Sequence, residues 1–484
     1  MTPTIDAANQ EAVARLLRAR PAWTAVLPAR EAIGLEGRAI LHAGPPIEWK
    51  RMCAPMRGAV VAAILFEDWA STPAKAVELA DAGGIAFAPC HSRGAVGPMT
   101  GVISPSLPIL VVEDKVNGTR AGSYIGEGMG PQARFGAFTP EVLTRLRWIR
   151  DCLAPAFQRV LEREGPIDLV ALMAQALAMG DEMHMRNAAA TALLAKQLAA
   201  PLAAAIDDRE QLQAVLRFMT RDNDQFFLTW AMAAAKAAAM SIDGLPGCTI
   251  VSTMARNGVE FGIRVAGLGE RWFTGPAPVV AGSFFPGFGA QHANPDIGDS
   301  AIMETYGLGG MAMAGSAPVV RVVGAASFGV AIETTRRMGE IAAARNPVFA
   351  IGALNWEGSP TGIDIRRVVQ TGIVPSINTA IAHREFGVGR MIGAGISVPP
   401  MKPFVDALIA FAEARGGQTA RLDSPAAYVG PRSLLDRAPS AINIGIAVFA
   451  QELSAQGVPA TQVDWRPPAG DARVAGLLEG LEGA

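Results

Sequence analysis

Ile85-Ala86-Phe87-Ala88-Pro89-Cys90-His91-Ser92-Arg93-Gly94-Ala95-Val96-Gly97-Pro98-Met99 runs from an apolar segment through a polar bend into a glycine-spaced loop. Ile85 to Ala88 reads as a strand. Upstream, Thr72-Pro73 puts proline at the first position of a helix that Ala82-Gly83-Gly84 ends. Before that helix lies the long apolar segment Gly58 to Trp69, and before it a short strand, Arg38 to His42, closed by the turn Gly44-Pro45-Pro46. Ala8 to Arg20 is a helix stopped by Pro21, and Pro108 to Glu113 is a further apolar strand. Strand, helix, strand, loop, strand predicts a parallel, Rossmann-like layer. GxGxxG is absent, so dinucleotide binding has no support. Ligands of open α/β sheets sit beyond the carboxyl ends of the strands, and glycine lets backbone N–H groups approach an anion. Gly44, His91 and Gly97 are therefore candidate binding residues, although an ordinary connection explains the loop equally well.

Further along, Thr139-Pro140-Glu141 starts a helix, and Asp168 to Met179 is an amphipathic run ended by Gly180. Asp181 is placed to cap a next helix from Glu182 to Leu198. Asp222 and Gln225 have capping-box spacing before Phe226 to Met240. From about 247 the pattern turns β-rich. Thr249 to Arg256 and Val259 to Val265 flank Asn257-Gly258, a hairpin signal in which both turn residues need positive φ. Arg271 to Thr274, Val279 to Phe285 and Ile363 to Val369 read as strands, with helices near Asp299 to Tyr306 and Ala331 to Ala344. Arg415 to Arg432 reads as a linker. Beyond it come a strand (Ala441 to Ile446), a helix (Ala447 to Gln456) and a strand (Ala460 to Val463). The fold class predicted is α/β plus α+β. A Rossmann-like domain occupies 1–125, a helical domain 126–246, an α+β domain 247–425 and a strand–helix–strand tail 426–484.

Composition narrows the function. Half of the 484 residues are hydrophobic and 18% are charged, against an average of about 25%. Net charge is −2, so no basic excess points to nucleic acid or an anionic membrane. Arg321 interrupts the longest apolar stretch, Gly309 to Ala331, and no membrane span is expected. The N-terminus has no apolar h-region, and the four cysteines are far apart without CxxC. A reducing, cytoplasmic location is the expectation. The five histidines include no pair at metal spacing, and neither a metal nor another cofactor is expected.

Three polar islands interrupt the apolar background. In Met179 to Asn187, helical i, i+3 spacing would align Asp181, His184 and Asn187. A carboxylate beside an imidazole orients it, so His184 is the candidate for proton transfer, with Asp181 as its partner and Asn187 orienting an amide. A helix cap with a solvated first turn fits the segment as well. In Asn294 to Ser300, Asp296 and Asp299 flank a turn before a short helix carrying Glu304, either a binding site at a helix start or a plain N-cap. The third island is made of arginines. Arg256 and Asn257 sit at the hairpin turn, and Arg366 follows Asp364. A guanidinium grips carboxylate or phosphate through paired N–H bonds, while surface salt bridging is the plainer role for any one arginine. A small anionic substrate is the partner these groups suit. Cys53 and Cys90 are possible nucleophiles without an assured thiolate-stabilising neighbour.

Read together, several segments resemble one family. They are Leu41 to Pro46, Pro89-Cys90-His91, Ala95 to Met99, Met179 to Asn187, Asp224-Gln225-Phe226-Phe227-Leu228, Gly267-Leu268-Gly269-Glu270-Arg271-Trp272-Phe273-Thr274, Ala293-Asn294-Pro295-Asp296 and Asp364 to Val369. In this order, over most of residues 10 to 400, they resemble the YlbE-like or AllG family of oxamate carbamoyltransferase subunits. The resemblance implies a Rossmann-like N-terminal domain, a small helical domain and α+β domains. It implies carbamoyl transfer between carbamoyl phosphate and oxamate, or a related small amide or ureide, in purine or allantoin catabolism. The chain would act as an enzyme or as a subunit, in a homo-oligomer or with AllH-like and FdrA-like companions. No catalytic residue set comes with the resemblance. Ser92 stands where the family pattern has a second histidine after Pro-Cys-His, which argues against a two-histidine metal site there. The tail from Ile442 to Pro468 resembles a segment of the FdrA-like companion. A non-catalytic scaffold and a cyclic amide or ureide hydrolase are the rival functions.

Overall fold

The computed structural model describes residues 3–416, 441–444 and 448–463, with the single positions 476 and 480. Helix Ile5–Arg18 opens the chain, capped by Thr4, whose hydroxyl accepts from Ala7 N–H. Pro21 ends it and starts a strand, Pro21–Pro28, that the sequence reading passes over. The strand lies in a five-stranded sheet ordered Ala95–Val96, Thr119–Tyr124, Pro108–Asp114, Pro21–Pro28, Ile167–Asp168. Every neighbouring pair in it is antiparallel except the first.

The parallel layer predicted from the N-terminal third is smaller than expected. Ala39–His42 pairs in parallel with Ala86–Pro89, joined through helices Ala54–Phe66 and Pro73–Asp81. The second helix begins at Pro73, as read, and the Thr72 side chain caps it. Pro108–Asp114 does not extend this pair. After it the chain turns in four residues, with Asp114 Oδ1 accepting from Val116 N–H and Gly118 at φ +72°. So short a turn returns the chain antiparallel, because a parallel return needs about a dozen residues.

Helix Leu228–Met240 runs beneath this sheet, buried from Leu228 to Ala239. Its alanines permit close approach, and Trp230 packs among Trp23, Phe157 and Phe226. The largest core unites residues from the first, second and third predicted segments, from Ala8 through Leu177 and Ala239 to Leu354. Helix Ala188–Ala205 is the one helix among the described residues long and apolar enough to cross a bilayer. Its Leu194, Leu198 and Leu202 are buried, and it packs on helices Ala154–Glu164, Leu169–Ala178 and Arg209–Thr220.

Four local readings change. The helix expected from Glu182 begins only at Ala188, because the Glu182 carboxylate accepts from the N–H groups of His184, Met185 and Arg186 and bends the chain. Ile363 to Val369 is not one strand. Strand Glu357–Ile363 ends there, and Asp364 caps helix Ile365–Thr371 by accepting from Arg366 N–H at 2.9 Å. The Asp222–Gln225 capping box does not form, and the following helix begins at Leu228 without a side-chain cap. The hairpin of Val251–Asn257 and Glu260–Val265 stands, but only Gly258 takes positive φ. Asn257 Oδ1 instead accepts from the N–H groups of Val259 and Glu260.

In the tail, Ala441–Ile444 and Ala460–Val463 are parallel strands joined by helix Val448–Ala455. The predicted linker beyond 416 and the 425/426 boundary lie outside the described residues.

Candidate functional site

The bend at 181–187 sets His184 facing the short helix Ile302–Thr305. His184 Nδ1 lies 2.8 Å from Glu304 Oε1, and both side chains are buried. Glu304, not Asp181, is therefore the carboxylate that orients the imidazole. Oε1 also accepts from Gly310 N–H at 3.0 Å and Asn378 N–H at 3.3 Å, while the buried Oε2 has no partner. Asp181 is occupied elsewhere. It pairs with Arg186 and accepts from Ala190 N–H at 2.8 Å, so it does cap the following helix, from outside it. Burial pushes its carboxyl up despite Arg186. Asn187 donates to His184 O at 3.3 Å and leaves its own buried Oδ1 free. Glu182, also pushed up by burial, accepts from Asn378 Nδ2 at 3.1 Å. The helical alignment of Asp181, His184 and Asn187 is thus replaced by a loop in which Met183 has φ +69°. Left-handed backbone at a methionine costs on the order of 1 kcal/mol or more and persists only where the surroundings enforce it.

His184 lines a small chamber of about 20 Å³ together with Pro98, Met99, Arg134 and Ser300. That volume holds about one water. Met99, like Met183, has a left-handed backbone, at φ +56°. Four residues of this chamber, Arg134, Phe135, Met185 and Gln225, also wall an open cleft of about 510 Å³. Arg186 and Arg390 complete a cationic rim, with Asn187, Asp224 and Gln225 beside them. Arg186 is tethered to Asp181 and Gly180 O, and Arg134 donates from Nε to Gln132 Oε1 at 2.5 Å. Arg390 is exposed. The cleft can coordinate a carboxylate or phosphate through guanidinium groups, with an oriented imidazole behind its wall.

The other predicted residues mostly converge next to this chamber, but as its frame. Asp299 accepts from Gly44 N–H at 2.8 Å and from Gly97 N–H at 3.1 Å. Those two N–H groups serve an internal carboxylate and do not cradle an outside anion. Gly44 has φ +83°, and a Cβ there would lie 2.5 Å from the backbone of Arg256 and Asn257. His91 is buried 3.4 Å from Asp299. Arg256 is completely buried and grips Asp296 through two bonds, Nε–Oδ2 at 2.7 Å and Nη2–Oδ1 at 3.0 Å, with Nη1 on Gly298 O at 2.8 Å. It has no face left for substrate, which corrects its reading as a clamp. Asn257 Nδ2 ties the hairpin to Pro45 O at 3.1 Å. Arg366 stands apart, paired with Asp364 and Asp6 in a separate groove of about 510 Å³ along the first helix. Neither cysteine is set up as a nucleophile. Burial pushes Cys53 up to about 11, and raises Cys90 further with Asp299 adding to it.

Sequence reasoning missed Arg134, Arg390 and Asn378 and gave Glu304 no role. The glycine-dense Gly126-Glu127-Gly128-Met129-Gly130 before Arg134 was a usable signal for a functional loop. The arrival of Glu304 beside His184 across 120 positions left none.

What these elements define is a mixed α/β protein of several sheets with an arginine-rimmed cleft backed by a buried His–Glu pair. Residues 85–300 match the family model described as oxamate carbamoyltransferase subunit AllG. The chain is 47% identical over 419 residues to the oxamate carbamoyltransferase subunit AllG of Escherichia coli (strain K12), spanning 86% of this chain and 100% of that protein. It therefore belongs to the AllG family. It is also 44% identical over 413 residues to the uncharacterized protein YahG of the same organism, covering 85% of this chain and 87% of YahG. A crystal structure of a conserved protein of unknown function from Enterococcus faecalis V583 shares the fold, with TM-score 0.83 and 42% identity over 84% of this chain and 98% of that one.

Proposed function

We propose that this chain is the substrate-binding subunit of a carbamoyltransferase that moves a carbamoyl group between carbamoyl phosphate and oxamate, working with AllH-like and FdrA-like companions. The observation that carries the reading is the His184–Glu304 pair at 2.8 Å behind a cleft rimmed by Arg134, Arg186 and Arg390. Both substrates are small anions, and a cleft of about 510 Å³ has room for the two together. In transfer, the amide nitrogen of oxamate attacks the carbamoyl carbon and an oxyanion develops on the carbonyl oxygen. Its collapse breaks the carbon–oxygen bond to phosphate, which leaves as inorganic phosphate; the reverse direction retraces these bonds. Preoriented guanidinium donors stabilise the oxyanion. His184, held through Nδ1, keeps Nε2 to take or return the proton of the amide nitrogen. Membership of the AllG family and the Escherichia coli relative, an oxamate carbamoyltransferase subunit, support the choice of substrates.

The test uses the reconstituted assembly with both substrates. His184→Ala is expected to lower kcat by about 10²-fold or more, the usual range for loss of a general base. Arg390→Ala is expected to raise KM for oxamate about tenfold, the value of one charge-assisted hydrogen bond. Unchanged turnover in both variants makes the chain a scaffold. Turnover that does not depend on phosphate makes it a hydrolase.

A further inference from the structure

Strand Ile377–Ala382 runs beside the His184–Glu304 pair and is buried along its whole length. It ends a three-stranded sheet, with Met391–Ser397 as its sheet neighbour. N–H groups on its outer side therefore need partners from outside the sheet. That of Asn378 goes to Glu304 Oε1 at 3.3 Å. Side chains alternate between the two faces of a strand. Thr379 points to the Arg256–Asp296 pair and bonds both members. Asn378 and Ala380 share the other face, on which Ala380 lines the chamber of His184. Asn378 is completely buried there, and its Nδ2 donates to Glu182 Oε1 at 3.1 Å.

The two carboxylates that Asn378 meets set His184 from two sides. Glu304 orients the imidazole through Nδ1 at 2.8 Å. Glu182 shapes the backbone, accepting from the N–H groups of His184 at 3.3 Å, Met185 at 2.6 Å and Arg186 at 3.0 Å. With Asn378 Nδ2 these make four donors on Glu182, and an ionised carboxyl has about four lone-pair positions to offer. None of the four donors is a cation, so each counts toward holding the buried charge. That charge also fixes which way the Asn378 amide points, because its carbonyl end would be repelled. Asn378 Oδ1 is left buried without a partner. A side chain kept only to fill space gains nothing from an unpaired oxygen, since an aliphatic group avoids its cost. Nδ2 is therefore the working end. Asn378 lines neither the chamber nor the cleft, so any effect on chemistry passes through the two carboxylates. We propose that Asn378 is a positioning residue for His184: its side-chain amide holds the carboxylate that shapes the 181–187 bend, and its backbone N–H holds the carboxylate that orients the imidazole. The inference rests on the reading of His184 as the proton-transfer group.

Asn378→Ala keeps the backbone N–H on Glu304 and removes the side-chain donor from Glu182. Glu182→Gln cuts the same bond from its other end. The control is Asn9→Ala, because Asn9 is a buried asparagine that bonds Thr249 and the Asp364 carboxylate in the separate groove along the first helix. In the reconstituted assembly, Asn378→Ala is expected to lower kcat about tenfold and to leave KM for oxamate within about twofold, the factor of one hydrogen bond in a rate and the pattern of a group that touches no substrate. The double variant Asn378→Ala with Glu182→Gln is expected to lose little more than either single variant, since both cut one link. Asn9→Ala is expected to lose stability in urea and keep kcat. A second readout needs no turnover. In proton NMR of the full-length chain, the downfield Nδ1–H resonance of His184, assigned by its absence in His184→Ala, is expected to shift or weaken in Asn378→Ala and to persist in Asn9→Ala. An unchanged kcat in Asn378→Ala overturns the proposal, and so does a lower kcat with an unmoved resonance, because the effect then bypasses His184. Losses that multiply in the double variant, or that Asn9→Ala reproduces, reduce Asn378 to a structural role and overturn it too. In each of these cases a turnover loss in His184→Ala still upholds the reading of the cleft, whereas full turnover in His184→Ala removes that reading and this inference together. If Asn378→Ala does not fold, Glu182→Gln decides by the same two readouts.

Discussion

Replacing Arg256 by methionine tests whether this guanidinium is structure or substrate clamp. Methionine keeps most of the length and removes the charge. In the native protein Arg256 is completely buried and Asp296 is 1% exposed. Deleting the guanidinium strips Asp296 Oδ2 of its 2.7 Å partner and Gly298 O of its 2.8 Å donor. Oδ1 keeps one bond, from Thr379 Oγ1 at 3.0 Å. A buried carboxylate is left without its counter-charge, and removing one member of such a pair costs about 3–5 kcal/mol. Domains have only about 5–15 kcal/mol in total, so the single variant is expected to lose a large part of its stability. Urea unfolding followed by circular dichroism measures the loss. Arg256→Met combined with Asp296→Leu removes both charges and is expected to recover most of it, because an apolar pair leaves no stranded ion. A single variant within about 1 kcal/mol of the wild type, with weakened oxamate binding, would return Arg256 to the substrate site.

Three other outcomes follow from the geometry. Glu304→Gln keeps the shape beside His184 but removes the charge of a 2.8 Å bond and buries an amide at the unpartnered Oε2 position. A loss of about 1–3 kcal/mol on urea unfolding is expected, with kcat falling while KM holds; an unaltered kcat refutes the orienting role. Burial holds His91 below its ordinary 6.5, so the unfolded chain binds more protons and wild-type stability drops as pH falls through that value. His91→Gln cannot be protonated, and its stability deficit against wild type is expected to close between pH 7.5 and 5.5; a deficit that widens contradicts the sign. With Cys53 at about 11 and Cys248 at about 12, iodoacetamide at pH 8 is expected to label the half-buried Cys152 first, as read by peptide mass spectrometry.

Elements set by local chemistry were legible. Thr72 before Pro73, Asp168 before Leu169 and Thr139 before Pro140 each cap the helix expected of them. So was the hairpin at Asn257-Gly258, although the turn is built from Asn257's side chain. Local reading failed where a side chain competed with the backbone. Glu182 is a good helix former by propensity, yet it takes three backbone N–H groups and keeps 181–187 out of a helix. Asp364 does the opposite, turning a β-branched run, Ile365 to Val369, into a helix by capping it. Around the candidate site, composition and motif picked out polar islands that the fold largely brings near one another, but the pairs that form differ from those expected. Asp181 and His184 are three positions apart and do not meet, while His184 and Glu304 are 120 apart and do. Spacing carries no information about partners brought together by tertiary packing.

The fate of the conspicuous arginines shows how the site is constructed. An arginine beside a turn, in an apolar chain, attracts attention because its burial is costly without a partner. The same cost obliges the fold to supply the partner, and Arg256 receives Asp296, Gly298 and Thr379. The oligopeptides around Gly44, Gly97, Asp296 and Asp299 are thereby bonded into one rigid block. Ser300 and Met99, which wall the chamber of His184, belong to that block. Under the proposed function, substrate would meet guanidinium groups that the block does not saturate, above all Arg390 on the rim, with Arg134 between cleft and chamber. Buried ion pairs contribute little net stability. Their use here is positional, because a catalytic constellation must be held to about half an ångström by side chains that are themselves locked. On this argument, loosening the frame at Asp299 should disturb His184 chemistry even though Asp299 touches neither the imidazole of His184 nor the cleft.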